Sequence, residues 1–191
     1  MIEPLSESIL QDPSFSKIED TVRRQIYHLD NISPREISFA QDVANFVTGR
    51  FSKSDLDKSR QSLTEDFEAV GHNGIAISHL EKKVAAMFDR ALPLPKEVTN
   101  DPSFAATESS IRSQMAKEGE ALGQRYMDYR TGLIDAEQYL SERDDSIHKR
   151  DRNRPEHTPP VGAQEVAIIE ENISRMIEAK LSRRAVAGRA G

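Results

Sequence analysis

Apolar side chains recur every three to four residues along most of this chain, the spacing of amphipathic helices. Behind Asp12-Pro13 come Phe15, Ile18, Val22, Ile26 and Leu29. Behind Ser33-Pro34-Arg35-Glu36 come Ile37, Phe39, Ala40, Val43, Phe46 and Val47, ending near Gly49. Those four residues form a capping box with proline at the first helical position, where a missing N–H costs nothing. A third helix starts at Ser52 or Ser54, turns Leu56, Leu63, Phe67 and Val70 inward, and closes at Gly71. Gly71-His72-Asn73-Gly74 is a turn. Ile75-Ala76-Ile77 has strand-like composition but no partner strand, so 75–91 reads as a fourth helix. Pro93 and Pro95 mark a hinge. From Pro102 the pattern predicts one long helix reaching Tyr129, with Gly119 and Gly123 merely tolerated inside it. Thr131 to Asp135 breaks it. Asp135 and Gln138 then cap the next helix, and Leu133 and Ile134 are expected to pack back on Tyr126 and Tyr139. A last helix spans about 163–181. The fold class is all-α, a bundle of six to seven amphipathic helices.

The start signals repeat. Pro4 to Ile26 (PLSESILQDPSFSKIEDTVRRQI) returns 89 residues later as Pro93 to Met115 (PLPKEVTNDPSFAATESSIRSQM). In each copy the aspartate, Asp12 or Asp101, is placed as an N-cap, with Pro13 or Pro102 at the first helical position. The same offset relates Ile77, Leu80, Val84, Met87 and Leu92 to Val166, Ile169, Ile173, Met176 and Leu181. Two matches at one offset suggest a diverged duplication with halves at 4–92 and 93–181, although the middles of the halves do not match.

Composition narrows this further. The 191 residues are 37% hydrophobic and 30% charged, with no Trp, as in a soluble, highly charged helical protein. Cys is absent, which removes disulfides, a thiol nucleophile and Cys-based metal sites. No apolar run approaches the ~18 residues of a membrane span, and MIEPLSESIL lacks the basic and apolar regions of a secretory signal. The expected location is the cytoplasm, with delivery by a secretion system as the alternative. The net charge of −6 argues against general nucleic-acid affinity, which is expected only through Lys149, Arg150, Arg152 and Arg154 or the C-terminal tail.

The organisation expected is an N-terminal helical half at 1–92, then a long helix and helical hairpin at 93–147. A polar, Pro-terminated linker at 148–160 follows, then an amphipathic helix at 161–181 and a flexible basic tail at 182–191. Val166, Ile169, Ile173, Met176 and Ile177 form the apolar face of that helix and are the candidate partner-binding residues. Arg183, Arg184 and Arg189 are the candidate export residues of the tail.

Chemistry leaves little trace. None of the patterns GxxxxGK[ST], GxGxxG, GxSxG or HExxH occurs. His28, His72, His79, His148 and His157 are scattered, and Asp144-Asp145 with His148 reads as a solvated helix end in preference to a metal site. No catalytic residue, cofactor or metal is expected.

Two short stretches resemble known modules. YMDYRTGLIDAEQYLSERDD is similar to the helical hairpin of short C-terminal oligomerisation modules. Pro4, Leu5, Ile9, Asp12, Pro13 and Ile18, and again Pro93, Leu94, Val98, Asp101, Pro102 and Ile111, resemble the opening of BID-type modules. That resemblance implies a helical bundle followed by a positively charged tail, on a protein delivered by a type IV secretion system. The family's Tyr-Gly-x-Pro turn and Leu-Ala-Gly motif have no counterpart here. The expected function is a non-enzymatic helical interaction protein, binding a protein partner or itself. A type IV secretion or conjugation substrate is the alternative, and an enzyme whose groups meet only in space is the third.

Overall fold

The computed structural model describes residues 2–29, 31–69, 75–155 and 158–187, with the backbone alone for 69, 75, 76 and 180–187. Its described regular structure is helical throughout, and the chain divides into two compact units, Met1–Ala91 and Leu92–Gly191. The first holds α1 (Glu7–Leu10), α2 (Phe15–Tyr27), α3 (Pro34–Val47), α4 (Lys53–Ala69) and α5 (Ile75–Ala91). The second holds α6 (Lys96–Thr99), α7 (Phe104–Glu118), α8 (Ala121–Arg130), α9 (Ala136–Arg152) and α10 (Gly162–Ala187). Two of these ten are single turns, which accounts for most of the excess over the six to seven expected.

Each unit is one short turn followed by four bundled helices. In the first, α3 packs on α2, α4 and α5, and α2 also packs on α5. Val22, Ile26, Val43, Val84 and Phe88 are fully buried there. Each such side chain contributes about 1.5–3 kcal/mol. In the second unit α10 packs on α7, α8 and α9. Ile111, Tyr126, Met127, Tyr139 and Ile173 are buried there to 2% exposure or less.

The two units are copies of one plan. Phe15, Val22 and Ile26 are buried where Phe104, Ile111 and Met115 are buried, at the 89-residue offset. The middles also correspond, but 83 residues apart. Phe39, Ala40, Val43, Ala44, Phe46 and Val47 on α3 stand where Leu122, Gly123, Tyr126, Met127, Tyr129 and Arg130 stand on α8, all buried. Between the equivalent core positions, Met115 to Leu122 is six residues shorter than Ile26 to Phe39, and Tyr139 to Ile173 is six longer than Leu56 to Val84. The register slips and then recovers, so the expectation that the middles do not match is corrected.

Polar contacts repeat in the same two registers. Arg23 on α2 donates from Nε to Glu19 at 2.7 Å and from Nη2 to Asn45 Oδ1 at 2.9 Å, while Gln41 Nε2 donates back to the Arg23 carbonyl at 3.2 Å. Arg112 on α7 donates from Nε to Glu108 at 2.8 Å and from Nη1 to Asp128 at 2.7 Å, and Gln124 Nε2 donates to the Arg112 carbonyl at 2.6 Å. The leading segments are pinned alike: Leu5 N–H donates to the Val47 carbonyl and Leu94 N–H to that of Arg130, each at 2.8 Å.

Local chemistry explains most boundaries. Ser33 and Glu36 form the expected reciprocal capping box on α3. Asp135 accepts from Gln138 N–H at 2.8 Å and caps α9. Asp12 and Asp101 act one step earlier than expected. Each accepts the N–H of the serine two residues on, Ser14 or Ser103, at 2.8 Å, and closes the turn that delivers Phe15 or Phe104 into the core. Their helices begin at those phenylalanines.

Four expectations about extent change. The long helix predicted to reach Tyr129 is two helices, because Gly119 ends α7 in the left-handed conformation at φ +68°. Gly123 does more than tolerate its helix. A Cβ there would lie 2.7 Å from Met115 Sδ and 3.2 Å from Ile173 Cδ1, so its absence lets α7 and α10 close on α8. The first five residues of the expected linker, 148–152, belong to α9, and α10 runs six residues beyond 181, so 182–187 is helical. Val70, the turn at 71–74, His157 and Arg189 lie outside the described residues.

Candidate functional site

Side chains expected to meet a partner along α10 are largely committed within the second unit. Val166 and Ile173 are 0% exposed and Ile177 is 1% exposed; Ile169 and Met176 are half-buried. A partner could reach the first three only by opening the bundle. Ile168, on the opposite face of α10, is 56% exposed. In the α8–α9 hairpin, Tyr129 and Tyr139 stack with ring centroids 5.0 Å apart, and Tyr126 tilts against Tyr139 at 5.5 Å. Leu133 does not pack back on these rings as expected; it is 69% exposed.

The basic residues of 149–154 are partly neutralised. Arg150 reaches Glu120 at 3.0 Å and Glu165 at 3.5 Å, and Arg154 pairs with Glu165. Asp151 Oδ1 accepts the N–H of Gly162 at 2.8 Å and thereby caps α10. This stretch therefore works as a clasp between α9 and the start of α10. Arg183 and Arg184 lie on the final turns of α10.

The second unit also contains a buried polar layer that single-sequence reading missed. Glu170 accepts from Tyr139 Oη at 2.5 Å and from Arg143 Nε at 2.7 Å. Ser174 Oγ lies 2.9 Å from Tyr126 Oη, and Arg130 Nη1 donates to both, at 3.1 and 2.7 Å. Burial pushes the Tyr126 hydroxyl above its ordinary range. Burial together with the Glu170 charge pushes Tyr139 well above it. Burial opposes the charge on Arg143, but Glu170 outweighs it and the guanidinium is held above its ordinary value. In the first unit Arg60 and Glu81 keep the ion pair, while the places of Tyr126, Arg130, Tyr139 and Ser174 are taken by Val43, Val47, Leu56 and Ala85. Sealed from solvent, the layer fixes helix against helix and offers no surface to a solute.

The first unit carries a shallow cleft of about 290 Å³ where the α1–α2 turn meets the α3–α4 corner, lined by Leu10, Asp12, Phe15, Glu19, Thr48 and Arg50. Glu19 is 8% exposed, and Arg50, 57% exposed, forks onto it from the open side. Arg50 Nη2 donates to Glu19 Oε2 at 2.8 Å and Nη1 donates to Oε1. The Asp12 carboxyl on the rim is held below its usual range by the Ser14 hydroxyl and N–H.

Among the described residues, no three metal-ligating side chains gather and no helix is long and apolar enough to cross a membrane. Compared with family models, curated proteins and solved structures, the chain matches none.

Proposed function

We propose that the chain is a non-enzymatic helical interaction protein, a tandem of two diverged five-helix modules that present different surfaces on one frame. The observation that carries this is what the copies keep and what they change. Buried positions and the arginine clamp persist, whereas exposed Lys17, Asp20 and Arg24 on α2 become exposed Ala106, Ser109 and Ser113 on α7. A retained frame with a replaced exterior suits recognition of partners, since recognition resides in grafted surfaces and not in the fold. The test begins with light scattering on the full chain across a wide concentration range. A mass above the monomer that falls in Ile168→Asp supports self-recognition. A monomer throughout moves the search to a foreign partner, by photo-crosslinking from positions 168 and 133. No mass change and no crosslink removes the reading. Ile173→Asp is not a useful probe, because it would bury a charge in the core.

A second reading, delivery through the basic C-terminus, is favoured by the length of α10. Its counterpart α5 stops three residues beyond Phe88, whereas α10 runs ten beyond the equivalent Ile177 and carries Lys180, Arg183 and Arg184. Deleting Ser182–Gly191 should then abolish transfer in a type IV translocation reporter while the amide protection of α7 to α9 stays unchanged. Transfer that survives the deletion rejects it.

A further inference from the structure

We infer that the corner of the second unit formed by Glu108 and Leu133 is a docking site for an arginine-bearing segment of a partner protein; this deepens the interaction reading and rests on it. The first unit supplies the template. There Arg50 follows Gly49 (φ +73°), donates its N–H to the Asn45 carbonyl at 2.8 Å, and forks its guanidinium onto Glu19. In the second unit Leu133 follows Gly132 (φ +77°) and donates its N–H to the Asp128 carbonyl, also at 2.8 Å. The backbone at the two corners is the same.

The surroundings are kept as well. Asp101, Pro102, Phe104 and Thr131 stand for Asp12, Pro13, Phe15 and Thr48. Thr131 Oγ1 donates to the Met127 carbonyl at 2.8 Å as Thr48 Oγ1 does to that of Ala44 at 2.9 Å. Glu108 holds Arg112 Nε as Glu19 holds Arg23 Nε. What the second unit lacks is the fork. Leu133 brings no donor, and Glu108 is 27% exposed where Glu19 is 8% exposed. Among the described residues, Arg112 is the one cation on Glu108, and it is shared with Asp128.

The chemistry of the vacant position selects its occupant. A half-buried carboxylate already holding one Nε is best completed by a planar fork of two N–H donors, which arginine has and lysine lacks. Asp101, the counterpart of Asp12, adds a second negative charge to this corner of the sequence. Leu133, exposed at the position that Arg50 holds in the first unit, asks for an apolar residue next to the arginine. The match is to a short Leu-Arg-like element of a partner.

The test is an NMR titration of the full chain with a blocked Leu-Arg dipeptide, with blocked Leu-Lys as the control. The expected result is saturable shifts at the amides of Glu108, Thr131 and Leu133, at least several-fold weaker with the lysine peptide. The shifts should be lost in Glu108→Gln, which keeps a hydrogen bond to Arg112. They should also be lost in Leu133→Arg, where the chain's own arginine fills the fork and amide protection of α7 and α8 rises. Absence of saturable shifts at these amides overturns the inference, as does binding that persists in Leu133→Arg. Shifts that arise from raising the protein concentration alone, or that need residues 182–191, assign the corner to this chain itself and overturn the foreign partner. If the dipeptide fails while crosslinking from position 168 still captures a partner, this corner is rejected and the interaction reading stands. If the dipeptide binds but no partner or self-association is found, the corner is an arginine site only, and its docking role is overturned together with the wider reading.

Discussion

One ion pair occurs twice in this chain, with its carboxylate equally covered and its arginine at two depths, so the effect of the arginine's burial can be measured. Arg60 on α4 reaches Glu81 on α5 with its Nε 2.7 Å from Oε1, and the two side chains are 40% and 12% exposed. Arg143 on α9 reaches Glu170 on α10 with the same 2.7 Å contact, at 6% and 11% exposure. Arg60→Met empties a position that is itself 40% exposed, where water can reach Glu81, and the loss expected is near that of a surface pair, about 0.2–1 kcal/mol. Arg143→Met strands the Glu170 carboxylate inside the bundle with Tyr139 as its remaining donor. Removing one partner of a buried pair costs about 3–5 kcal/mol. That corresponds to roughly two to three and a half powers of ten in the opening equilibrium. Native-state hydrogen exchange with peptide-level readout is the assay, because it reads α9 and α10 separately from α4 and α5 without assuming that both units unfold together. The double variant Arg143→Met with Glu170→Leu should recover most of the loss, since no charge is left alone. Equal losses for the two arginines, or a double variant no better than Arg143→Met, would refute the reasoning.

A chain ending at Arg154 loses Val166, Ile173 and Ile177; exchange should show 92–154 unprotected while α2 to α5 keep their protection. Tyr126 and Tyr139 hold their protons above the ordinary value of 10.0, so the folded state binds more protons than the unfolded one at high pH. Stability of the second unit should be complete below pH 10 and fall as pH climbs past it, and an alkaline melting series should show a shallower fall in Tyr139→Phe. Glu142 is held below its ordinary value of 4.5 mainly by Arg125, so its contribution is present above that value and lost as pH falls through the lower folded value. Arg125→Gln should flatten that acid limb in a urea series. Gly123→Ala should cost about 1–3 kcal/mol by thermal melting, nearer the lower end because flexible Met115 is the first atom met.

The helices themselves were legible because their periods and caps are local: Ser33-Glu36 and the run 75–91 appear as read, and Asp135 caps α9 although the Gln138 side chain turns to Glu142 instead of completing the box. The duplication was legible only at its ends. Its middle became visible once buried positions were compared, because a six-residue shortening before α8 and a six-residue lengthening before α10 hide it from any single offset. The break at Gly119 and the continuation of α9 through Arg152 were missed for opposite reasons. A glycine inside an apolar pattern does not announce a left-handed cap, and a polar run such as His148–Arg152 hides a helix whose charges are met by Glu120 and Glu165. The apolar face of α10 was correctly traced, but periodicity does not say which bundle a face belongs to. The vacancy beside Glu108 is legible only by comparison with Arg50, through the fold.

Helices α5 and α10 have nearly the same outline, with Val84, Phe88 and Glu81 matched by Ile173, Ile177 and Glu170. A protein made of two like bundles therefore runs a risk that single bundles do not: either bundle could accept the other's last helix. Ser174 works against that exchange. With α5 in the place of α10, Ala85 would face the Tyr126 hydroxyl and Arg130 with nothing to offer. With α10 in the place of α5, the Ser174 hydroxyl would sink between Val43 and Val47. Each misfit leaves a buried polar group short of a partner at about 1–3 kcal/mol, so each bundle distinguishes its own closing helix from its sister's.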